Sequence, residues 1–315
     1  MNKLLLLALL ATFSIATIWM APYFGAAEYS EQIRTLRLPR ATLAWFSGGS
    51  LAVAGLLMQT LLRNDLATPF TLGVASSASF GAFVCFAFPA ISATMWAPPL
   101  LGFICAIATI ALIIKLGSSN LGHNGILLVG ITINFVFGAA LMIVRHLAPP
   151  YRMTKLEHWL MGSIETSSFE PAWVVATAAL LCLTIIWARR YDLDQYSFDM
   201  KVAQARGVNV SKLMNVGLAT SGFLTAAVVT QCGPIAFIGL LAPHALRPFI
   251  GHSHKYMLPA CWLLGSGFLV FADTLSRSLL IFGRSSDIPV GIITALVGGP
   301  AFLLIVLRKS KKTPH

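Results

Sequence analysis

The chain has 315 residues, of which 57% are hydrophobic and only 10% are charged. This charged fraction lies far below the ~25% of soluble domains, and with a mean hydropathy of +0.79 it excludes a water-soluble globular protein and indicates a polytopic helical membrane protein. The net charge of +11 would favour nucleic acid as the partner of a soluble protein. Here the cations lie in short loops between apolar runs, where they set the orientation of membrane helices, and we expect no nucleic acid partner.

The first apolar run predicts a membrane span from Leu4 to Phe24. The small residues Gly25, Ala26 and Ala27 allow an alternative, the cleavage site of a signal peptide. Because the run is about 20 residues long, which exceeds the core of a usual signal peptide, we favour a retained first span.

The second predicted span, Ala41–Leu62, has no charged residue and is long enough, at about 1.5 Å per residue, to cross roughly 30 Å of hydrocarbon. This span and the next segment carry a small residue at every fourth position, which lets another helix backbone approach closely. The small residues are Ala44, Gly48 and Ala52 in the second span and Gly73, Ser77 and Gly81 in the third. We therefore expect both helices inside a bundle.

The segment Arg63–Pro69 reverses the chain between these two spans. Its charged residues end the second span. Pro69 is expected in the first turn of the third span, because a proline there loses no helical hydrogen bond.

Further apolar runs predict the fourth to seventh, ninth and tenth spans. These are Ala97–Ile114, Ile126–Val144, Pro171–Trp187, Leu213–Gln231, Met257–Leu275 and a last span that is opened by Asp287 and runs to Leu307. Asn134, near the middle of the fifth span, is expected to form a hydrogen bond between helices, with a place on a substrate path as the alternative. Residues 147–170 fit an interfacial segment.

The eighth segment, Gly233–Lys255, is apolar but contains three prolines. These are Pro234, Pro243 and Pro248. A proline inside a helix frees a carbonyl that neighbouring protein must satisfy, so we expect a broken and buried segment. His244 is expected to be a packed, hydrogen-bonded histidine rather than a ligand, and His252 and His254 to form a polar loop rather than a metal pair.

The longest polar stretch, Arg189–Lys212, follows the sixth span. A solvated loop is the simplest interpretation. Phe198, Val202 and Ala205 are nevertheless predicted on one side of a short helix that Gly207 would end, and a short amphipathic helix in such a loop usually binds a partner.

The charges at helix ends suggest an orientation and a partner. Asp273 and Arg277 stand four residues apart, in the favourable acid-first order. We place this pair near the interface, because an unpaired charge in the membrane costs at least about 2.5 kcal/mol.

Placing both termini in the cytoplasm puts most of the 22 Lys and Arg residues there. Several arginines lie at outward helix ends, against the usual excess of cations on the cytoplasmic side, and suggest an acidic partner. The alternative is that their long side chains snorkel to the membrane surface and anchor the helices there. These are Arg34, Arg37, Arg40, Arg277 and Arg284.

The sequence also disfavours several function classes. No Asp or Glu lies in the middle of a predicted span, which argues against an ion-coupled secondary transporter, the first rival hypothesis. No P-loop, HExxH or GxSxG motif occurs, so we expect no enzyme activity, although a membrane enzyme or receptor-like scaffold is a second rival. The five cysteines are widely spaced in apolar runs and predict neither a metal site nor disulfides.

Three groups of residues resemble the FecCD family, the permeases of ABC importers for iron siderophores, haem and cobalamin. The first group follows the RLPR sequence at residues 37–40, the second lies in the polar stretch, and the third lies in the eighth segment. The matching residues are Gln59, Arg63, Asn64, Leu66, Ala67, Pro69, Leu72 and Gly73, then Ala203 and Gly207, then Gly233, Phe237, Gly239, Leu240, Pro243, His244, Arg247 and Gly251. Two positions depart from the family pattern, since Asp65 stands where proline is usual and Met200 where glutamate is usual, with Asp199 beside it.

The resemblance implies an all-α polytopic membrane protein of about ten transmembrane helices, similar to the cobalamin importer permease of type II ABC importers. Residues 1–315 would form one permease domain in the bacterial inner membrane, with both termini in the cytoplasm. The chain would be a non-enzymatic subunit without a bound cofactor or metal, paired with a second copy or a related permease. The expected cargo is a ferric siderophore, with haem or cobalamin as alternatives.

The resemblance also implies two partners and their contact residues. A cytoplasmic P-loop ATPase would use the ATP and contact a coupling segment at about residues 189–212. A periplasmic binding protein would dock on arginines. The implied residues are Asp199, Met200, Ala203 and Gly207 for coupling, Arg37, Arg40 and Arg277 for docking, and Arg63, Asn64, Asp65, Pro69, Pro243, His244 and Arg247 as candidates for a gate or helix break.

Overall fold

The computed structural model describes residues 3–25, 30–88, 96–117, 122–149, 157–281, 284–285 and 288–310. Within these ranges the chain is folded almost entirely into α-helices. They are α1 (Lys3–Met20), α2 (Glu31–Leu61), α3 (Val74–Ala87), α4 (Ala97–Gly117), α5 (Gly122–Leu147), α6 (Glu170–Ala188), α7 (Arg190–Phe198), α8 (Met200–Ala205), α9 (Val210–Cys232), α10 (Ile238–Ile250), α11 (His254–Ser278) and α12 (Val290–Ser310). A 3-10 turn, Ala21–Tyr23, follows α1, and a two-residue antiparallel hairpin pairs β1 (Leu280–Ile281) with β2 (Arg284–Ser285).

Each predicted span corresponds to a helix in the described ranges. In the described ranges, α1, α2, α4, α5, α6, α9 and α11 are long and apolar enough to cross a membrane, and α3 and α12 are shorter apolar helices. With α10 they account for the predicted ten, so the all-α fold of about ten spans is confirmed. Ala26, Ala27 and Asp287, which entered the predictions above, lie outside the described residues.

The second predicted span, Ala41–Leu62, is part of a longer helix, because α2 already begins at Glu31. The side chain of Ser30 caps the helix by accepting a hydrogen bond from the Ile33 amide over 3.2 Å. At 31 residues the helix is about 46 Å long. It therefore extends beyond the hydrocarbon at one end, which we call the arginine end because it carries Arg37 and Arg40.

The predicted position of Pro69 is also wrong, because α3 begins only at Val74. Thr68 and Thr71 close a tight turn ahead of the helix, in which the Thr68 amide donates to the Thr71 hydroxyl over 2.9 Å. Gly73 then adopts a left-handed conformation with φ of 74°, which glycine allows without steric cost.

The eighth segment is broken, but not at the prolines of its second half. Helix α10 runs through Pro243 and Pro248. The break lies before it, where Phe237 adopts φ of 69°, a conformation unusual for a residue with a side chain. The segment is thus a short half-helix behind an irregular entry.

Helix α2 lies at the centre of the bundle and packs against α6, α9, α10 and α11. In its apolar window 83% of the residues are buried, against 11% in α1 and in α5. A β-carbon at Gly48 would overlap the Gly265 carbonyl of α11, and one at Gly55 would overlap the Gly239 carbonyl of α10. The predicted close approach along the small-residue stripe of α2 is therefore confirmed.

Helices α7 and α8 lie at the opposite end of the bundle, which we call the coupling end. Phe198 is the last residue of α7 rather than a part of the helix that contains Val202 and Ala205, so the predicted single amphipathic helix is wrong. Asp199 separates the two helices because its backbone is extended, with φ of −156°, and its side chain caps α8.

Candidate functional site

An ion cluster at the arginine end joins three of the predicted charges. Asp273 is buried, its side chain only 1% exposed. Arg40 Nε donates to Asp273 Oδ1 over 2.9 Å, and Arg277 Nε lies 3.1 Å from Asp273 Oδ2. The predicted Asp273–Arg277 pair is confirmed. The sequence did not indicate Arg40 as its third member, because this contact joins residues 233 positions apart.

The cluster also ties α11 to the end of α1. Arg277 Nη2 donates to the Ala21 carbonyl over 3.4 Å, and Arg37 Nη1 donates to the Pro22 carbonyl over 3.3 Å. Arg37 and Arg40 lie close enough to Arg277 to act on it electrostatically. The predicted docking arginines are thus brought together, and among the described residues the Asp273 carboxylate pairs with two of them, Arg40 and Arg277. Whether a partner docks there stays a prediction.

Gln59 completes the hydrogen bonding of the broken segment. Pro243 has no amide hydrogen to donate to the carbonyl four residues before it, that of Gly239. Gln59 Nε2, on the facing helix α2, donates to this carbonyl over 3.2 Å. Gln59 is only 2% exposed. The expectation that neighbouring protein satisfies a carbonyl freed by proline is therefore confirmed for Pro243.

Three of the gate candidates, Asp65, His244 and Arg247, meet at the coupling end of α10. Arg247 Nη1 donates to Asp65 Oδ1, and His244 Nε2 lies 3.9 Å from Asp65 Oδ2. His244 is 7% exposed, its Nδ1 lies 3.1 Å from the Leu240 carbonyl oxygen, and its ring contacts Phe302 edge to face. The interpretation of His244 as a packed histidine is confirmed. Asp65, where the family usually has proline, ties the loop after α2 to α10.

The other gate candidates have local roles. Asn64 Oδ1 accepts from the Leu66 amide over 2.8 Å, which stabilises the loop turn. Arg63 adopts φ of 47° and borders a cavity of about 190 Å³ that is also lined by Gln59, Asp65, Arg247 and His252. Pro69 lies outside this cavity in the turn before α3.

A second set of polar contacts fixes α7 to the coupling ends of α2 and α11. His254 is buried, with 2% exposure. Its ring Nδ1 lies 2.7 Å from Asp194 Oδ1 and its Nε2 lies 3.1 Å from the Thr60 hydroxyl. The Tyr196 hydroxyl donates to the Leu61 carbonyl over 2.9 Å, and burial raises the pKa of Tyr196 to about 12.

Sequence reasoning missed this anchor. His254 was predicted to lie in a polar loop, and the structure corrects this, because the side chain is buried between α2 and α7 and begins α11. The only sequence signal for the anchor is the presence of Asp194 and Tyr196 four and two residues before the exposed Phe198. No group of three His, Cys, Asp or Glu side chains among the described residues is arranged to hold a metal ion.

Helix α8 presents an exposed surface beside this anchor. The Asp199 carboxylate accepts from the amides of Lys201 and Val202, and the Val202 hydrogen bond lowers the pKa of this carboxyl. Ala203 is fully buried, and Met200, in place of the family's glutamate, packs partly against the core. Gly207 ends the helix with φ of 86°, as the Val208 amide donates to the Ala203 carbonyl in a Schellman arrangement.

Asn134 connects two helices rather than standing alone in its span. The Ser76 hydroxyl of α3 donates to Asn134 Oδ1 of α5. The simpler interpretation, a hydrogen bond between helices, is confirmed. Both residues line a cavity of about 570 Å³.

The fold and these sites define a helical integral membrane protein with a tightly packed centre and an anchored helical segment at one end. The chain belongs to the FecCD transport family, which it matches over residues 3–308. It is a permease of an ABC importer of this type.

Two curated relatives and one solved structure show the extent of the similarity. The hemin transport system permease HmuU of Yersinia pestis is 35% identical over 290 residues, covering 88% of this chain and 83% of the relative. The molybdate import permease MolB of Haemophilus influenzae is 31% identical, covering 88% and 81%. A structure described as an inward-facing conformation of a metal-chelate type ABC transporter superposes with a TM-score of 0.88 at 28% identity, covering 97% of this chain and 99% of that chain.

The pairing of Gln59 with the Gly239 carbonyl predicts an unusual double-mutant result. Gln59→Leu should lower the free energy of unfolding by about 1–3 kcal/mol, because it leaves a buried carbonyl without a donor. Pro243→Ala should lessen this loss in the double variant, because alanine restores an amide hydrogen four residues after Gly239. The measurement is thermal unfolding of the wild type, both single variants and the double variant in one detergent. Equal losses from Gln59→Leu with and without Pro243→Ala would contradict the pairing.

Proposed function

We propose that this chain is the membrane-spanning conduit of an ATP-driven importer and that it has no energy source of its own. A separate cytoplasmic P-loop ATPase would contact the coupling end, and a periplasmic binding protein would deliver cargo to the arginine end. Two copies, or this chain and a related permease, would form the path between them. The chain would lie in the bacterial inner membrane with both termini in the cytoplasm. Its membership of the FecCD family supports each part of this proposal.

The single observation that carries the proposal is the combination of an anchored α7 with an exposed α8. At the coupling end, Phe198 is 81% exposed and Val202 is 37% exposed, although both side chains are apolar. Exposed apolar patches with a polar rim are typical of protein contact surfaces. The anchor through Asp194 and Tyr196 means that a partner pulling on this surface also pulls on α2 and α11.

The contacts suggest the route by which such a pull would reach α10. Tyr196 holds the last turn of α2 at Leu61. The loop that follows contains Asp65, which pairs with Arg247 of α10. A displacement of α7 and α8 would therefore move the end of α2, the loop and α10 together, as short loops move packed helices in rigid-body transitions.

We propose a ferric siderophore as the cargo, because iron chelates are the commonest cargo of such permeases. Haem is the second candidate, favoured by the identity to a hemin permease, and cobalamin and molybdate follow. Among the described residues, the cavity beside Asn134 is lined mostly by apolar side chains such as Phe135 and Met142. Such a surface suits a bulky complex that passes without tight polar binding.

The coupling role of α8 predicts opposite results for two substitutions at one position. Gly207→Val should lower ATP-driven uptake at least about tenfold, because a β-branched residue tolerates positive φ poorly and the end of α8 would change. Gly207→Asn should keep most of the uptake, since asparagine adopts this conformation readily. Nothing lies within 4 Å of a β-carbon at Gly207, so both variants should reach the membrane in normal amount.

The measurement is uptake by reconstituted vesicles that contain the partner ATPase and enclosed ATP and carry the binding protein outside, together with the ATP hydrolysis rate and the amount of folded chain. Retained hydrolysis with lost uptake in Gly207→Val is the expected result. Unchanged uptake in that variant would show that α8 does not couple the subunits.

The arginine end makes a separate prediction about the binding protein. Arg37→Glu should weaken docking several-fold, and the effect should be larger at low salt, where exposed charges are least screened. Arg37→Lys, which keeps the charge, is the matched control. Arg40 and Arg277 are unsuitable for charge reversal, because both contact the buried Asp273 and their loss would disturb the fold.

Docking is measured as the affinity of the purified binding protein for the permease complex at two salt concentrations. If Arg37→Glu and Arg37→Lys bind alike at low salt, Arg37 is an anchor for the membrane surface and not a docking residue.

A further inference from the structure

An apolar groove lies between α6 and α11 at the coupling end of the bundle. Its volume is about 470 Å³, and one wall residue, Trp187, is 42% exposed. The walls are Leu183, Thr184, Trp187 and Ala188 on one side and Leu258, Pro259 and Trp262 on the other, and Thr184 is the one polar side chain among them. The groove therefore faces away from the protein core and opens to the surroundings of the bundle.

Cations lie at one end of this groove. The Arg190 guanidinium stacks on the Trp187 ring, with its carbon 4.8 Å from the ring centroid, and Arg190 Nη1 donates to the Trp187 carbonyl over 2.7 Å. On α11, Lys255 precedes Leu258, Pro259 and Trp262 at spacings that put all four on one helical face. Both walls of the groove thus end in a cation on the same side.

Few carboxylates of the protein lie close enough to neutralise these cations. Among the described residues, neither Arg190 nor Lys255 has a carboxylate oxygen within 4.0 Å, and the buried Nε of Arg190 has no hydrogen-bond partner. The neighbouring Arg189 reaches Asp192 at 4.0 Å. Lys3 adds to the positive charge, because its Nζ and that of Lys255 lie 5.4 and 5.5 Å from the same Tyr256 ring.

We propose that this groove binds one anionic phospholipid molecule, with an acyl chain along the tryptophan-lined walls and the phosphate at Arg190 and Lys255. An apolar groove with cations at its interfacial end matches the two parts of such a lipid, and a zwitterionic lipid would leave the cations without a net negative partner. Tryptophan side chains at the membrane interface fit this placement. The site rests only on the membrane location and on the groove that α6 and α11 line, so it does not depend on the proposed cargo or partners.

The position of the site gives the lipid a structural role. Arg190 is the first residue of α7, and Lys255 follows His254, which holds α7 through Asp194. A phosphate bound by both Arg190 and Lys255 links the first turns of α7 and α11, beside the contact between His254 and Asp194. Bound lipid therefore stabilises the coupling end, from which α7 and α8 project.

The test is native mass spectrometry of the intact chain in detergent, titrated with phosphatidylglycerol or with phosphatidylcholine. The wild type should retain one phosphatidylglycerol per chain and bind phosphatidylcholine at least about tenfold more weakly. The double variant Arg190→Gln/Lys255→Gln should lose about tenfold or more in phosphatidylglycerol affinity, since each cation near a membrane surface contributes roughly fivefold. The control Lys115→Gln/Lys212→Gln removes two exposed cations from the same end of the bundle and should bind like the wild type.

Two further measurements on the wild type keep the proposal testable if the double variant does not fold. Phosphatidylglycerol should raise the thermal unfolding temperature more than phosphatidylcholine does. Glycerol 3-phosphate, which has the charge without the chains, should neither compete nor stabilise. The proposal is overturned if both lipids bind and stabilise alike, if glycerol 3-phosphate competes with phosphatidylglycerol, or if the double variant retains wild-type lipid affinity.

Discussion

Helix α10 can cross beside α2 only because two glycines allow their backbones to touch and because Gln59 replaces a hydrogen bond that Pro243 removes. A β-carbon at Gly55 would overlap the Gly239 carbonyl, and the same carbonyl accepts from Gln59 Nε2. Close backbone packing and a polar side chain at the interface are the usual means by which helices associate where lipid supplies no hydrophobic driving force. Because α2 also packs against α6, α9 and α11, the bundle is organised around this crossing.

Both ends of α2 are tied to charged or polar clusters, which makes the helix a connection between the two surfaces of the protein. At the arginine end, Arg40 pairs with the buried Asp273 of α11. At the coupling end, Leu61 accepts from Tyr196 of α7, and the following loop reaches Arg247 of α10 through Asp65. A helix fixed in this way moves as a unit with its contacts, so a force applied to α7 is expected to reach α10 rather than to dissipate in the loop.

The sequence predicted the spans well, because length and apolar composition determine whether a segment can cross a membrane. It did not indicate that α2 begins at Glu31, ahead of the predicted span, since the helical residues before Ala41 include charges that a search for apolar runs excludes. The position of Pro69 was wrong because the hydrogen bonds of Thr68 and Thr71 close a turn that the residue pattern does not specify.

At the candidate sites, the sequence identified charged residues but not their partners. The ion pair of Asp273 with Arg277 could be predicted because both residues lie on one helix. The pairs Arg40–Asp273 and Asp65–Arg247 could not, because each joins distant parts of the chain. The sequence shows that Asp65 differs from the family pattern, but only the fold shows that its partner is Arg247. The anchor of α7 through His254 depends wholly on tertiary packing.

The central claim is that the chain conducts cargo but does not drive its movement. It is tested most directly by accumulation of a ferric siderophore or hemin in proteoliposomes. Accumulation should require the partner ATPase, the binding protein and ATP, and should persist when ionophores abolish proton and sodium gradients. Accumulation by vesicles that contain this chain alone under an imposed ion gradient would contradict the account.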